Sequence, residues 1–201
     1  MDIMLALRAA TENVPGSGRF GPVEEGTPII KRVGIVAMSA GILLFGVRAA
    51  QAQSLGITAA TVSDFTPVSL SGSVATTTAS MSDFAVTDSR GTGEGWNVVA
   101  QATLFAEWNG TAYVPGGKAL PAGSLSMPPP TVSPIDAGTP SITPGPYAID
   151  GSSVKIATAA PGTGEGTYTF SPSGPLTLTV VAGAYARTYR SEVTFSVTSG
   201  P

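Results

Sequence analysis

Two glycine-rich stretches carry the acids that could do chemistry. "DSRGTGEGWNV" spans residues 88–98 and "PGTGEGTYTF" spans 161–170. Asp88 and Glu94 lie in the first, and Glu165 takes the place of Glu94 in the second. Asp88 with Glu94, or Glu94 with Glu165, is the kind of carboxylate pair that hydrolyses a glycan without histidine. The plainer reading is two turns with solvated acids. The chain has no His and no Cys. That excludes a Ser-His-Asp triad, a Cys-His dyad, and zinc held by imidazole or thiolate. Calcium needs only oxygen ligands, but no stretch has the Asp density of a calcium loop. No cofactor is expected.

The same stretch could bind rather than react. Trp96 and Asn97 offer a flat apolar ring and an amide, with Asp88 and Arg90 beside them. Sugar polymers present apolar faces and hydroxyls that such groups suit. Equally, a Trp in an alternating strand is a core residue, and Phe195 faces the same choice. Trp108 sits beside Asn109-Gly110, a turn that would expose it. Tyr185 and Tyr189 either close the end of the fold or present their hydroxyls. The glycines do not form a phosphate loop, because Gly-Lys-Ser/Thr opening a helix is missing. They read as turns that permit positive φ and close approach of another backbone.

The elements that must position these residues are strands. "ITAATVSDFTPVSLSGSVATTTASMSDFAVTDSR" is rich in Thr, Val and Ser with apolar residues often two apart. Phe65, Val68 and Leu70 fall on one face, and Met81, Phe84 and Val86 on another. "GWNVVAQATLFAEW" alternates through Trp96, Val98, Ala100, Ala102 and Leu104. Asn109-Gly110 and Asp150-Gly151 are hairpin signals, the first of type I′. Residues 114–146 are full of Pro and Gly and read as loop and edge strand, tethered by Leu120, Leu125, Met127 and Val132. "PLTLTVV" and "SEVTFSVT" alternate strictly. There is no long amphipathic helix, and "AGAYARTY" could make one turn at most. The fold class expected is all-β: a single antiparallel β-sandwich or barrel-like domain with a Pro/Gly-rich central loop region.

Residues 31–53 read "KRVGIVAMSAGILLFGVRAAQAQ". A basic pair, an apolar run from Val33 to Val47 and the A-x-A site Ala50-Gln51-Ala52 make a secretory leader cut after Ala52. The run is shorter than the ~20 residues of a spanning helix and ends at Arg48, so no stable membrane span is expected after cleavage. Residues 1–30 precede the basic pair, which suggests translation starting further in. Residues 1–52 are therefore taken as N-terminal extension plus leader, and 53–201 as the domain. The domain holds nine acids and five bases. With the whole chain at −3 and a pI near 4.8, nucleic acid is not an expected partner.

"VTDSRGTGEGWNV", then "LPAGSLSM", "GTGEGTYTF" and "AGAYARTYRSEVTFSV", in that order, resemble the WxL-type domain of bacterial cell-surface proteins. The resemblance covers most of 57–201. Trp96-Asn97-Val98 stands at the first Trp-x-Leu and Phe195-Ser196-Val197 at the second, with Tyr185, Tyr189 and Val193 ahead of it. Val replaces Leu twice and Phe replaces the second Trp. The resemblance implies a secreted, extracellular β domain. It would attach non-covalently to the cell wall, through peptidoglycan, and could act with another surface protein. It implies Trp96, Asn97, Val98, Phe195 and Val197 as binding residues. Asp88, Arg90, Trp108, Tyr185 and Tyr189 join them on chemistry. Two other classes remain: a structural subunit assembling through strand edges, and the glycan hydrolase raised above. The first reading is non-catalytic.

Overall fold

The structure is a computed structural model and describes residues 2–12 and 53–201. The apolar run 33–47 and the Ala52 cleavage site lie outside the described residues. All elements among the described residues are strands, numbered along the chain, and no described helix is long and apolar enough to cross a membrane.

The largest sheet has the order β10 (Ser141–Ile142), β12 (Val154–Ala159), β6 (Trp96–Ala102), β15 (Tyr189–Ser199), β1 (Asp2–Glu12) and β3 (Phe65–Ser69). A short β7 (Ala106–Glu107) pairs with the start of β15. A second sheet runs β11 (Tyr147–Ala148), β8 (Leu125–Met127), β14 (Leu176–Val180), β4 (Ala75–Ala79). The third runs β2 (Leu55–Ile57), β5 (Phe84–Asp88), β13 (Gly166–Pro172), β9 (Pro130–Ser133). Among the described strands, pairing is antiparallel except between β1 and β15. The three sheets do not close into a barrel, so the sandwich form of the expectation holds. Residues 2–12, set with the N-terminal extension in the sequence reading, form one strand of the largest sheet.

Alternation explains which side chains enter the core. On β15, Tyr189, Ser191, Val193, Phe195 and Val197 are buried while the residues between them are only half-buried. On β14, Leu176, Leu178 and Val180 are buried in the same way. The inner faces meet in an aromatic layer. Phe84 of β5 stacks on Phe170 of β13 at 4.9 Å and on Phe195 of β15 at 4.9 Å. Trp96 of β6 meets Phe170 edge-on at 6.2 Å and Tyr168 at 6.4 Å. Offset and edge contacts of this kind add about 0.5–1.5 kcal/mol per pair beyond the burial itself.

Three local expectations change. Leu104 was placed in the core by extending the β6 alternation, but β6 ends at Ala102. The phase then slips by one, so that Phe105 is buried and Leu104 is exposed. Asn109-Gly110 is not a type I′ turn, because only Gly110 has positive φ. Asn109 instead accepts the amides of Thr111 and Ala112 on its side chain, each at 2.8 Å, which closes a longer loop between Trp108 and Tyr113. Asp150-Gly151 makes no hairpin. It carries the chain from β11 in the second sheet to β12 in the first, and the buried Asp150 carboxylate accepts the Gly123 and Ser124 amides at 3.0 Å. In the proline-rich segment, β9 and β10 are edge strands as expected, but β8 lies inside its sheet. "AGAYARTY" runs through turn, bend and irregular backbone over 182–188, and Tyr189 opens β15.

The glycine loops answer to packing. Gly95 has φ +74, and a methyl group there would overlap the Ala159 carbonyl oxygen. Gly164 has φ +78, and a methyl group would come within 2.7 Å of the Trp96 indole nitrogen. Gly91 has a similar φ of +65 but open space around it. Gly91→Ala should therefore cost only the backbone conformation, about 1–2 kcal/mol. Gly95→Ala adds a clash with backbone and should cost about 3 kcal/mol or more. Urea unfolding of the two variants checks the difference. Equal costs would show that the loops do not need the close approach.

Candidate functional site

Trp96 is fully buried. Its indole N–H donates to the Gly164 carbonyl oxygen at 2.8 Å, so the second glycine loop satisfies the side chain that the first one delivers. The two loops also join directly, the Gly162 amide donating to the Gly93 oxygen at 2.7 Å. Asn97 is buried beside it. Its amide donates to the Gly200 oxygen and its carbonyl accepts the Thr158 hydroxyl at 2.9 Å. Val98 pairs with Val197 and Trp96 with Ser199, which places both Trp-x-Leu-like segments on adjacent strands. Phe195 is also fully buried.

Arg90 locks this end of the domain. Its guanidinium grips Asp88 through two bonds, Nε to Oδ1 at 2.9 Å and one terminal nitrogen to Oδ2 at 2.8 Å. That nitrogen also donates to the Gly95 oxygen at 2.9 Å, and the other reaches Glu94 at 3.3 Å and the Ser199 hydroxyl. Ser199 donates in turn to Glu94 at 2.8 Å. The hydrogen bonds from Arg90 hold the Asp88 carboxyl below its ordinary value against the opposing effect of burial. Asp88, Arg90, Trp96, Asn97, Val98, Phe195 and Val197 are thus brought together, as a packed and hydrogen-bonded unit. Glu94 and Glu165 are exposed, and Glu94 is engaged in the ion-pair network.

The opposite end of β15 differs. Ten residue steps of strand carry the chain from Tyr189 to Ser199, about 33 Å at the usual rise. Here Trp108 is half-buried, and its ring meets Tyr113 edge-on at 5.1 Å. The Arg190 guanidinium lies over Trp108 at 4.6 Å, and its buried Nε makes no hydrogen bond. Lys118 Nζ stands 5.0 Å above the Tyr185 ring. Arg187 pairs with Glu107 at 3.2 Å, and Glu107 also accepts the Lys118 amide. Tyr185 is 53% exposed and Tyr113 39%. Tyr189 is buried, its hydroxyl donating to the Tyr185 oxygen at 3.2 Å, so it supports the turn beneath Tyr185. Burial raises the Tyr113 pKa above its ordinary value, and Glu192 adds to this while Arg190 opposes it. The phenol therefore stays protonated near neutral pH.

The structure so divides the ten sequence candidates. Trp96 and six others form the packed lock, Tyr189 is a buried support, Trp108 is half-buried, and Tyr185 stands at the surface. Sequence reasoning missed Tyr113, Lys118, Arg187 and Arg190. Tyr113 had a signal, because it returns from the turn beside Trp108. Three of the five bases of 53–201 gather here, which no local pattern announces.

A family described as "WxL domain surface cell wall-binding" matches residues 35–201, most of the chain. No curated protein and no solved structure matches.

Removing Arg90 leaves a buried carboxylate without its partner. Arg90→Ala should cost about 3 kcal/mol near neutral pH. Because the folded Asp88 pKa lies below its ordinary 3.8, the unfolded chain takes up that proton first as pH falls. The stabilisation is full above that value and is lost as pH drops through the folded pKa, so the gap between wild type and Arg90→Ala should narrow below about pH 4. Urea midpoints from pH 7 to pH 2.5 check this; a gap independent of pH would rule the pair out as its source.

Proposed function

We propose a wall-contacting surface for a chain that belongs to the WxL family, whose domains bind the cell wall at the cell surface. The surface is the aromatic and cationic patch of Trp108, Tyr113, Tyr185, Lys118 and Arg190. The ligand is peptidoglycan, bound non-covalently by an exported domain without catalysis. One observation carries this reading: the residues of the family signature are inside, and the exposed rings of Tyr113 and Tyr185, with the half-buried Trp108 and cations beside them, are at the other end of β15. Sugar rings can lie on Trp108, Tyr113 and Tyr185, which give flat apolar area with polar edges. Stem-peptide carboxylates suit the cations Lys118 and Arg190, whose charges stand over rings. Export follows from the leader at 31–52.

The glycan hydrolase reading finds less support. Glu94 is tied to Arg90 and Ser199, and Glu165 is in solvent.

Sedimentation of the full chain with isolated peptidoglycan checks the surface. Trp108→Ala should lower retention about tenfold, equivalent to ~1.4 kcal/mol. Raised salt should weaken binding further, as expected for exposed charges. Trp96→Phe should lose stability through the lost indole bond and keep its retention while folded. The reverse pattern, with Trp96→Phe folded but unbound and Trp108→Ala unaffected, would move the contact to the signature residues. No soluble sugar should appear in either case.

A further inference from the structure

The largest sheet contains a slot. On one side β15 pairs with β6 and β7. On the other it pairs in parallel with β1, from Leu5 opposite Tyr189 to Glu12 opposite Ser196. The far edge of β1 pairs antiparallel with β3, Asp2 opposite Ser69 and Leu5 opposite Phe65. β15 and β3 do not pair with each other, so β1 is what joins them. Without it, β15 would present an open row of main-chain donors and acceptors over 189–196. The same residues include the core side chains Tyr189, Ser191, Val193 and Phe195. Long open edges of this kind invite pairing with another chain.

On the reading of 31–52 as a secretory leader cut after Ala52, this slot becomes a matter of export. Its basic pair, Lys31-Arg32, stays on the cytoplasmic side during insertion. Residues 2–12 precede that pair and residues 53–201 follow the leader. Transport places the two on opposite sides of the membrane, and a cut after Ala52 separates them. Whether translation starts further in or the cut after Ala52 removes residues 2–12, β1 does not fill the slot of the exported domain.

We propose that the slot between β15 and β3 is a receptor for a strand donated by a different exported polypeptide, with β1 as its stand-in. This rests on export, as the wall reading does. The donor is extended, at least eight residues long, free of proline within the ladder, and runs parallel to β15. Its pattern is the one that β1 displays. Leu5, Leu7, Ala9 and Thr11 occupy the register positions of Tyr189, Ser191, Val193 and Phe195. The donor accordingly carries apolar or small residues two apart. Main-chain hydrogen bonds supply the affinity and alternate side chains the choice of partner.

The test uses the full chain with a protease site placed within 13–52, cut after folding. The probe is a fluorescent peptide of residues 2–12, compared with a scrambled peptide and with its Leu7→Pro form. After cutting and dilution the peptide should bind one to one, and the Leu7→Pro form at least tenfold more weakly. The uncut chain should take up none. Amide exchange at 189–196 should speed up when the segment leaves and slow again when the peptide is added. Should the cut chain lose its fold, recovery on adding the peptide supports the proposal and failure to recover overturns it. Protection of 189–196 that does not depend on the segment overturns it, as does protection by pairing with a second copy. Sedimentation of the same cut sample with peptidoglycan separates the two readings. Peptide uptake without wall retention strikes only the wall surface, and retention without uptake strikes only the slot.

Discussion

The burial of one indole constrains the rest of the domain. Trp96 has no exposed surface, and its N–H must find an acceptor or cost about 1–3 kcal/mol. The Gly164 oxygen provides it. To bring that oxygen so near, the second glycine loop must lie against the ring, and the first must lie against the backbone at Ala159. Side chains at Gly95 and Gly164 would hold the loops apart. The repeated Gly-Thr-Gly-Glu-Gly pattern is thus the two halves of one seat. Arg90 then fastens the seat to the end of β15 through Ser199 and the Gly95 oxygen.

That arrangement explains why the chain tolerates the departures from Trp-x-Leu. At Val98 and Val197 the side chains pack in an alternating core, where a smaller apolar residue costs packing but breaks no hydrogen bond. Phe195 lies within the aromatic layer and stacks on Phe84, a place any planar apolar ring can fill. Trp96 is different, because its nitrogen is used. The position that keeps its tryptophan is the one with a hydrogen bond to lose.

Much of the fold was legible in the sequence because alternation is a strong signal. β14 and β15 alternate without a break and bury the residues expected of them. The glycine loops were legible as turns, and close backbone approach was a fair reading of their composition. Other features depend on pairing and could not be read locally. Leu104 continued an alternation that ended two residues earlier. Asp150-Gly151 has hairpin chemistry, yet the chain on either side belongs to different sheets. Whether Trp96 was core or contact turned on what lay across from it. Of the surface patch, Trp108 and Tyr185 were legible as residues, but Lys118 and Arg190 meet them only after β7 pairs with the start of β15.

β15 links the two ends while keeping their side chains apart. Its inward residues are fixed by the aromatic layer along the whole strand, and its first pair, Tyr189 and Arg190, is registered against Glu107 and Ala106. The strand therefore sets where Arg190 meets Trp108 without requiring any particular residue at Tyr113, Lys118 or Tyr185. A change in those exposed side chains alters charge and ring area and leaves the core untouched. A change at Trp96 or Gly164 alters the core and reaches the patch only through stability. In this chain the signature lies in the packed interior, and the opposite end of the strand carries the exposed rings and charges.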